Sequence, residues 1–155
     1  MTLLEKKELL DDALELYYNQ SFIEHDPISI PHSFEHPRDI EIAGFFAAIF
    51  AWGNRKTIIN KSRDLLERMD NAPFDFVLNA DNSSLTSLHS FKHRTFNGVD
   101  LIGIVQTLQD VYRKFDSLEE AILVKDQKSQ VTIKENLHKL HLLSVSYTHL
   151  RAHET

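Results

Sequence analysis

Apolar residues recur at helical spacing along nearly the whole chain. Leu3, Leu10, Leu14 and Tyr17, flanked by Leu9, Ala13 and Leu16, draw one stripe along a first helix. The stretch HDPISIPHSFEHPRD follows, and its three prolines predict an extended connector, because each removes an amide donor and biases its predecessor away from helix. Asp39 is expected to cap a second helix, whose Ile42, Phe45, Phe46, Ile49 and Phe50 cover so much of the circumference that it must be central. Gly53 fits a left-handed helix stop, and Asn54 fits the cap of the next helix, which carries Ile58, Ile59, Leu65, Leu66 and Met69 on one face. Pro73 suits the first turn of a short helix through Phe76 and Val77, and a brief apolar piece around Leu85 and Leu88 comes after it.

Asn97-Gly98 is a turn signal. Asp100 is then expected to cap the most regular helix of the chain, in which Leu101, Ile104, Val105, Leu108, Val111, Tyr112 and Phe115 repeat at helical spacing. Ser117 with Glu120, and Thr132 with Glu135, each read as a capping box ahead of a further helix. Nothing alternates with period two, so the pattern predicts an all-α fold of about seven or eight helices. Residues 1–143 read as part of a single helical domain, and residues 144–155 stand apart. SVSYTHLRAHET abandons the leucine spacing of Leu137, Leu140 and Leu143 and resembles the read-through translation of a sequencing adapter with a transposon end. The pair His149 and His153 inside it therefore carries no functional signal.

Composition narrows the chemistry. The 155 residues are 42% hydrophobic and 26% charged, enough for one ordinary globular domain that buries about two thirds of its unfolded surface. With no cysteine, the chain holds no disulfide, thiolate metal site or cysteine-ligated iron–sulfur cluster, and it suits a reducing cytoplasm. The first 18 residues mix charge with leucine, so no secretory signal is expected, and no apolar run approaches a membrane span. A net charge of −6 argues against a general polyanion binder, but the charge is uneven. Acids dominate up to Phe50, whereas Arg55, Lys56, Lys61, Arg63 and Arg68 face only Asp64 and Glu67 in the next segment.

The strongest candidate for chemistry is the corner Trp52-Gly53-Asn54-Arg55-Lys56. A helix starting there leaves backbone amides free for an anion, its dipole adds to the two cations, and Trp52 can stack on or wedge beside a base. The same residues also fit a structural role, with Trp52 in the core, Gly53 stopping a helix and the cations solvated. Lys92, His93, Arg94 and Asn97 form a second cationic loop, for which a structural turn is the competing role. The histidine pairs His89–His93 and His138–His141 lack any His-Glu-x-x-His pattern, so neither a metal nor a cofactor is expected. There is also no Gly-x-Ser-x-Gly elbow and no Gly-x-Gly phosphate loop.

Three blocks carry a family resemblance: NQSFIEHDPISIPHSF, DIEIAGFFAAIFAWGNRKTIINKSRDLLERMDNAPFDFV and FKHRTFNGVDLIGIVQTLQDVY. From Gln20 to about Leu123 the chain resembles an uncharacterised bacterial family, a domain of unknown function, itself similar to the helix-hairpin-helix DNA glycosylases of the endonuclease III superfamily. The resemblance implies an orthogonal helical bundle, DNA as partner, base excision as the task and base flipping as the mechanism. By position it implies that Trp52, Gly53, Asn54, Arg55 and Lys56 lie against nucleic acid, with His93, Arg94 and Asn97 as the second contact loop. The hairpin, the catalytic aspartate and the optional Schiff-base lysine of such glycosylases have no counterpart here. The chain is therefore expected to be an inactive amino-terminal portion, lacking the other half of its domain. A purely structural alternative is a helical interaction module that binds a protein or a small anion.

Overall fold

The computed structural model describes residues 1–123 together with Lys134 and His138. Those residues form a mostly helical fold: α1 (Leu3–Tyr17), α2 (Gln20–Glu24), α3 (Pro37–Ile49), α4 (Arg55–Arg68), α5 (Pro73–Asn79), α6 (Asn82–Thr86), α7 (Gly98–Tyr112) and α8 (Leu118–Ile122). The capping box at Thr132, the spacing of Leu137, Leu140 and Leu143, and the tail from Ser144 lie outside the described residues.

The central helix is α3, and it buries two faces. Ile42, Phe46 and Phe50, one turn apart, enter the larger core with Leu65, Val105 and Leu108. Ala43 and Ala47 on the neighbouring face pack with Ile30, Ile59 and Leu66 in a second cluster. The proline-rich connector is held in two short 3-10 turns, Pro27–Ser29 and Pro31–Ser33, each with proline in its first turn. Phe50 stacks on Phe91 at 5.4 Å and meets Phe96 edge-on at 5.5 Å, which ties the end of α3 to the loop before α7.

Several local expectations are corrected by longer-range partners. Asp39 does not cap α3, which begins at Pro37 after His36. Its carboxylate instead accepts from the Phe74 amide at 2.8 Å and so caps α5, which lacks a capping side chain of its own. Asp100 likewise sits one turn inside α7. The cap is Asn97, in a capping box with Asp100. Gly98 is the first residue of that helix, and a Cβ there would collide with the backbone carbonyl of His89. Gly53 follows three residues after α3 has closed at Phe50, and its φ of 148° is a mirror-extended conformation rather than the expected left-handed turn.

The loop between α6 and α7 adds two strands of two residues, β1 (Lys92–His93) and β2 (Phe96–Asn97), paired antiparallel with His93 opposite Phe96. Segments so short leave no readable alternation. Glu41 of α3 gathers the far end of the domain by accepting from the Tyr112 hydroxyl and the Leu118 amide, both at 3.0 Å. Burial, followed by the Glu41 charge, pushes the Tyr112 phenol far up, so it stays protonated and donating. The first helix differs from all this, because α1 has no buried residue.

Candidate functional site

Three residues, Ala51, Trp52 and Gly53, turn the chain from α3 into α4. The turn is tight, with the Trp52 amide donating to the Phe50 carbonyl at 2.7 Å. Asn54 then caps α4 as its sequence position suggests, its side-chain oxygen accepting from the Thr57 amide at 2.9 Å. The amides of Arg55 and Lys56 precede the first intrahelical bond, so this helix end presents donors and the positive end of its dipole.

The hairpin brings the second loop onto this corner. Trp52 is 38% exposed, with one edge against the His93 ring at 5.7 Å and an interplanar angle of 86°. The Arg94 guanidinium lies 5.6 Å from the indole centroid. A Cβ on Gly53 would stand 3.4 Å from Arg94 Nε, so the glycine leaves the space that the guanidinium uses. Arg94 sits at the hairpin tip with φ of 56°, a left-handed conformation that costs a non-glycine residue about 1 kcal/mol. The backbone thus holds this cation over the indole against a local preference.

His93 supports the corner from beneath. It is 2% exposed, between Phe50 at 5.2 Å and Trp52. Burial lowers its pKa, the nearby Arg94 and Lys61 charges add to that effect, and the backbone of Phe50 and Trp52 opposes it. The ring is therefore neutral near pH 7, with Nε2 buried and without a hydrogen-bond partner among the described residues. Of the eight residues singled out in the sequence, Trp52, Gly53, His93 and Arg94 converge. Arg55 leans the other way: its Nε is 3.8 Å from an Asp26 carboxylate oxygen and its guanidinium 5.5 Å from the Phe22 ring. Lys56 is exposed on the first turn of α4. Asn97 uses its side-chain oxygen on the amides of Val99 and Asp100.

Two features escaped the sequence pattern. Lys61 and Arg68 both lie over the Phe91 ring, at 5.4 and 5.8 Å, and both bind Asp64. Burial raises the Asp64 carboxyl, but the hydrogen bonds and charges of Lys61 and Arg68 outweigh it and leave the pKa lowered. These two cations are thus committed to the fold more than their position after Arg55 and Lys56 suggested. A groove of about 480 Å³ also opens where α1 meets α2, lined by Tyr17, Tyr18, Phe22, Ile23, Asp26 and His32. Its only sequence signal is the aromatic cluster at Tyr17, Tyr18 and Phe22. Among the described residues, no three histidine, aspartate or glutamate side chains gather as a metal set, and no helix is long and apolar enough to cross a membrane.

No curated protein and no solved structure matches the chain. A family model described as "Protein of unknown function (DUF2400)" matches residues 26–154. That span omits α1 and runs through most of the stretch that reads as adapter-derived. It covers both loops of the corner and every helix of the core, and on that match the chain belongs to the DUF2400 family.

Proposed function

We propose that the chain is the amino-terminal portion of a DNA-binding protein related to the helix-hairpin-helix glycosylases, and that the Trp52–Lys56 corner with Arg94 takes the nucleic-acid backbone. The observation that supports this reading is the convergence of the two cationic loops: a half-exposed indole with one guanidinium over it, beside the amino-terminal end of a 14-residue helix. Phosphate would take the amides and side chains of Arg55 and Lys56 together with Arg94, and Trp52 would stack on or wedge beside a base. Arg55 would have to exchange Asp26 for phosphate. That exchange is inexpensive, because the pair is long and the arginine side chain is 61% exposed. His93 fills a positioning role in this scheme, holding Trp52 without contacting DNA. The chain by itself is expected to cleave no glycosidic bond, since the carboxylate that would assist has no counterpart here.

The test is duplex DNA binding by the complete protein, read by fluorescence anisotropy over a range of salt. Affinity should fall as salt rises, and the triple change Arg55→Ala, Lys56→Ala and Arg94→Ala should weaken it. The slope of log affinity against log salt should shrink by about 0.9 for each phosphate that the variant no longer neutralises. Binding that is absent, or indifferent to salt and to the triple change, removes the proposal.

A second reading, a helical interaction module without DNA chemistry, is favoured by one observation: the leucines of α1 face solvent in a chain of net charge −6. The two readings separate on the carboxyl-terminal half of the gene. A suitably placed aspartate there supports the glycosylase relation, and none supports the module.

A further inference from the structure

His93 is the one buried histidine among the described residues, and it lies against the single tryptophan of the chain. Its imidazole is enclosed by Phe50 at 5.2 Å and Trp52 at 5.7 Å, and it pairs across the hairpin with Phe96. These neighbours differ in freedom. Phe50 is sealed in the core, and Phe96 is held by Phe50 and Phe91. Trp52 meets no ring besides His93 among the described residues and is 38% exposed. The indole is the part of this enclosure that can move without opening the core.

We propose that His93 is a proton-operated support for Trp52: when it takes up a proton from solvent below neutral pH, the imidazolium leaves its apolar seat and lifts the indole off the hairpin, while the helices stay folded. Two observations lead there. A neutral imidazole has one N–H to place and an imidazolium has two, yet Nε2 is buried with no hydrogen-bond partner among the described residues. A charge and a donor left that way are costly, and reaching water relieves both.

The charged surroundings add to the cost. Arg94 follows on the same hairpin and Lys61 acts from α4, and both are positive. Lys92 points to the opposite side of β1, and His89 before it is exposed. The nearby carboxylates are engaged: Asp64 of α4 holds Lys61 and Arg68, and Asp100 of α7 accepts from the Asn97 amide. The second half of α3 and the turn into α4 carry no acid. Burial is the main reason that the folded ring resists protonation, and the backbone of Phe50 and Trp52 offsets it only in part.

The response stays local because the moving parts are small. Each strand of the hairpin has two residues and Trp52 lies on a three-residue turn, whereas Phe50 and Phe91 remain stacked in the core behind them. In acid the indole leaves both His93 and the Arg94 guanidinium that lies over it. The device resides in the protein alone and does not depend on the nucleic-acid reading.

With a single tryptophan, the indole reports on itself. The full chain is titrated at low concentration downward from about pH 8 until the helix signal is lost. The bimolecular acrylamide quenching constant, from fluorescence lifetimes, and far-UV circular dichroism are followed together. The expected result is a rise of about twofold or more in the quenching constant along a one-proton transition centred below pH 6.5, with the helix signal unchanged across it. His93→Phe should abolish the transition. Lys61→Gln, which removes one of the two cations, should move the midpoint up, and it decides the matter if the first variant does not fold. A quenching constant that rises only as helix is lost, a transition that persists in His93→Phe, or a midpoint that Lys61→Gln leaves in place would each overturn the proposal.

Discussion

Helices α1 and α7 are both 15 residues long, and both open with a capping box, Thr2 with Glu5 and Asn97 with Asp100. Their fates are opposite. Six residues of α7 are buried, among them Leu101, Val105 and Leu108, whereas α1 buries none. Their composition follows that difference: seven residues of α1 are charged, against only Asp100 and Asp110 in α7. Caps and periodicity are local and can be equally good in both helices. Burial depends on whether other elements close over the stripe, and around α7 they come from α3, α4, α5 and α8. The family match, which begins at residue 26, includes α7 and leaves α1 out.

The largest expected effect lies at the start of α7. Gly98→Val places a side chain against the His89 backbone, which cannot yield without moving the hairpin, so a loss of about 4 kcal/mol or more is expected. Circular dichroism should report loss of the cooperative thermal transition, and a near-native transition would mean that the close approach is not real. Next comes the matched pair Leu101→Ala and Leu10→Ala. The first empties a fully buried site and should cost about 2–5 kcal/mol in urea unfolding, whereas the second changes a side chain that is 68% exposed and should cost under about 1 kcal/mol. Equal losses would break the comparison.

The smallest effect is a pH dependence set by His93 and Asp64 beside the core. The folded pKa of His93 lies below 6.5, chiefly through burial, so as pH falls the unfolded chain takes up the proton first. This contribution to stability is complete above the unfolded pKa and is lost as pH drops from about 6.5 toward the folded value, with a slope of at most about 1.4 kcal/mol per pH unit. Asp64, with its pKa lowered from 3.8, adds stability that is complete above that value and is lost only at more acidic pH, as its folded pKa is crossed. His93→Phe should flatten the dependence below about pH 7 in urea titrations. An unchanged slope would place its origin elsewhere.

Much of this architecture is legible in one dimension. The period of α3, the Asn54 cap and the proline start of α5 depend on neighbours within a turn, and they occur where the residues indicate. Features made by distant partners are not legible in this way. Asp39 looks like a cap for the helix it belongs to, yet it caps α5 across the fold. The β1–β2 pair is too short to alternate. The candidate site divides in the same manner, since the sequence presents Trp52 and Arg94 as members of two separate loops, and only the packing of Phe50 on Phe91 and His93 sets one loop on the other.

What the sequence alone determined is therefore the longer helices, the caps at Asn54 and Ser117 and the faces these helices need to bury, because hydrogen bonds and side-chain spacing within a few residues suffice for these. Tertiary structure decided which stripe found a core, which carboxylate capped which helix, and which cation came to rest over Trp52. Those outcomes depend on the shape left between elements far apart in the chain, and local preference carries no record of that shape.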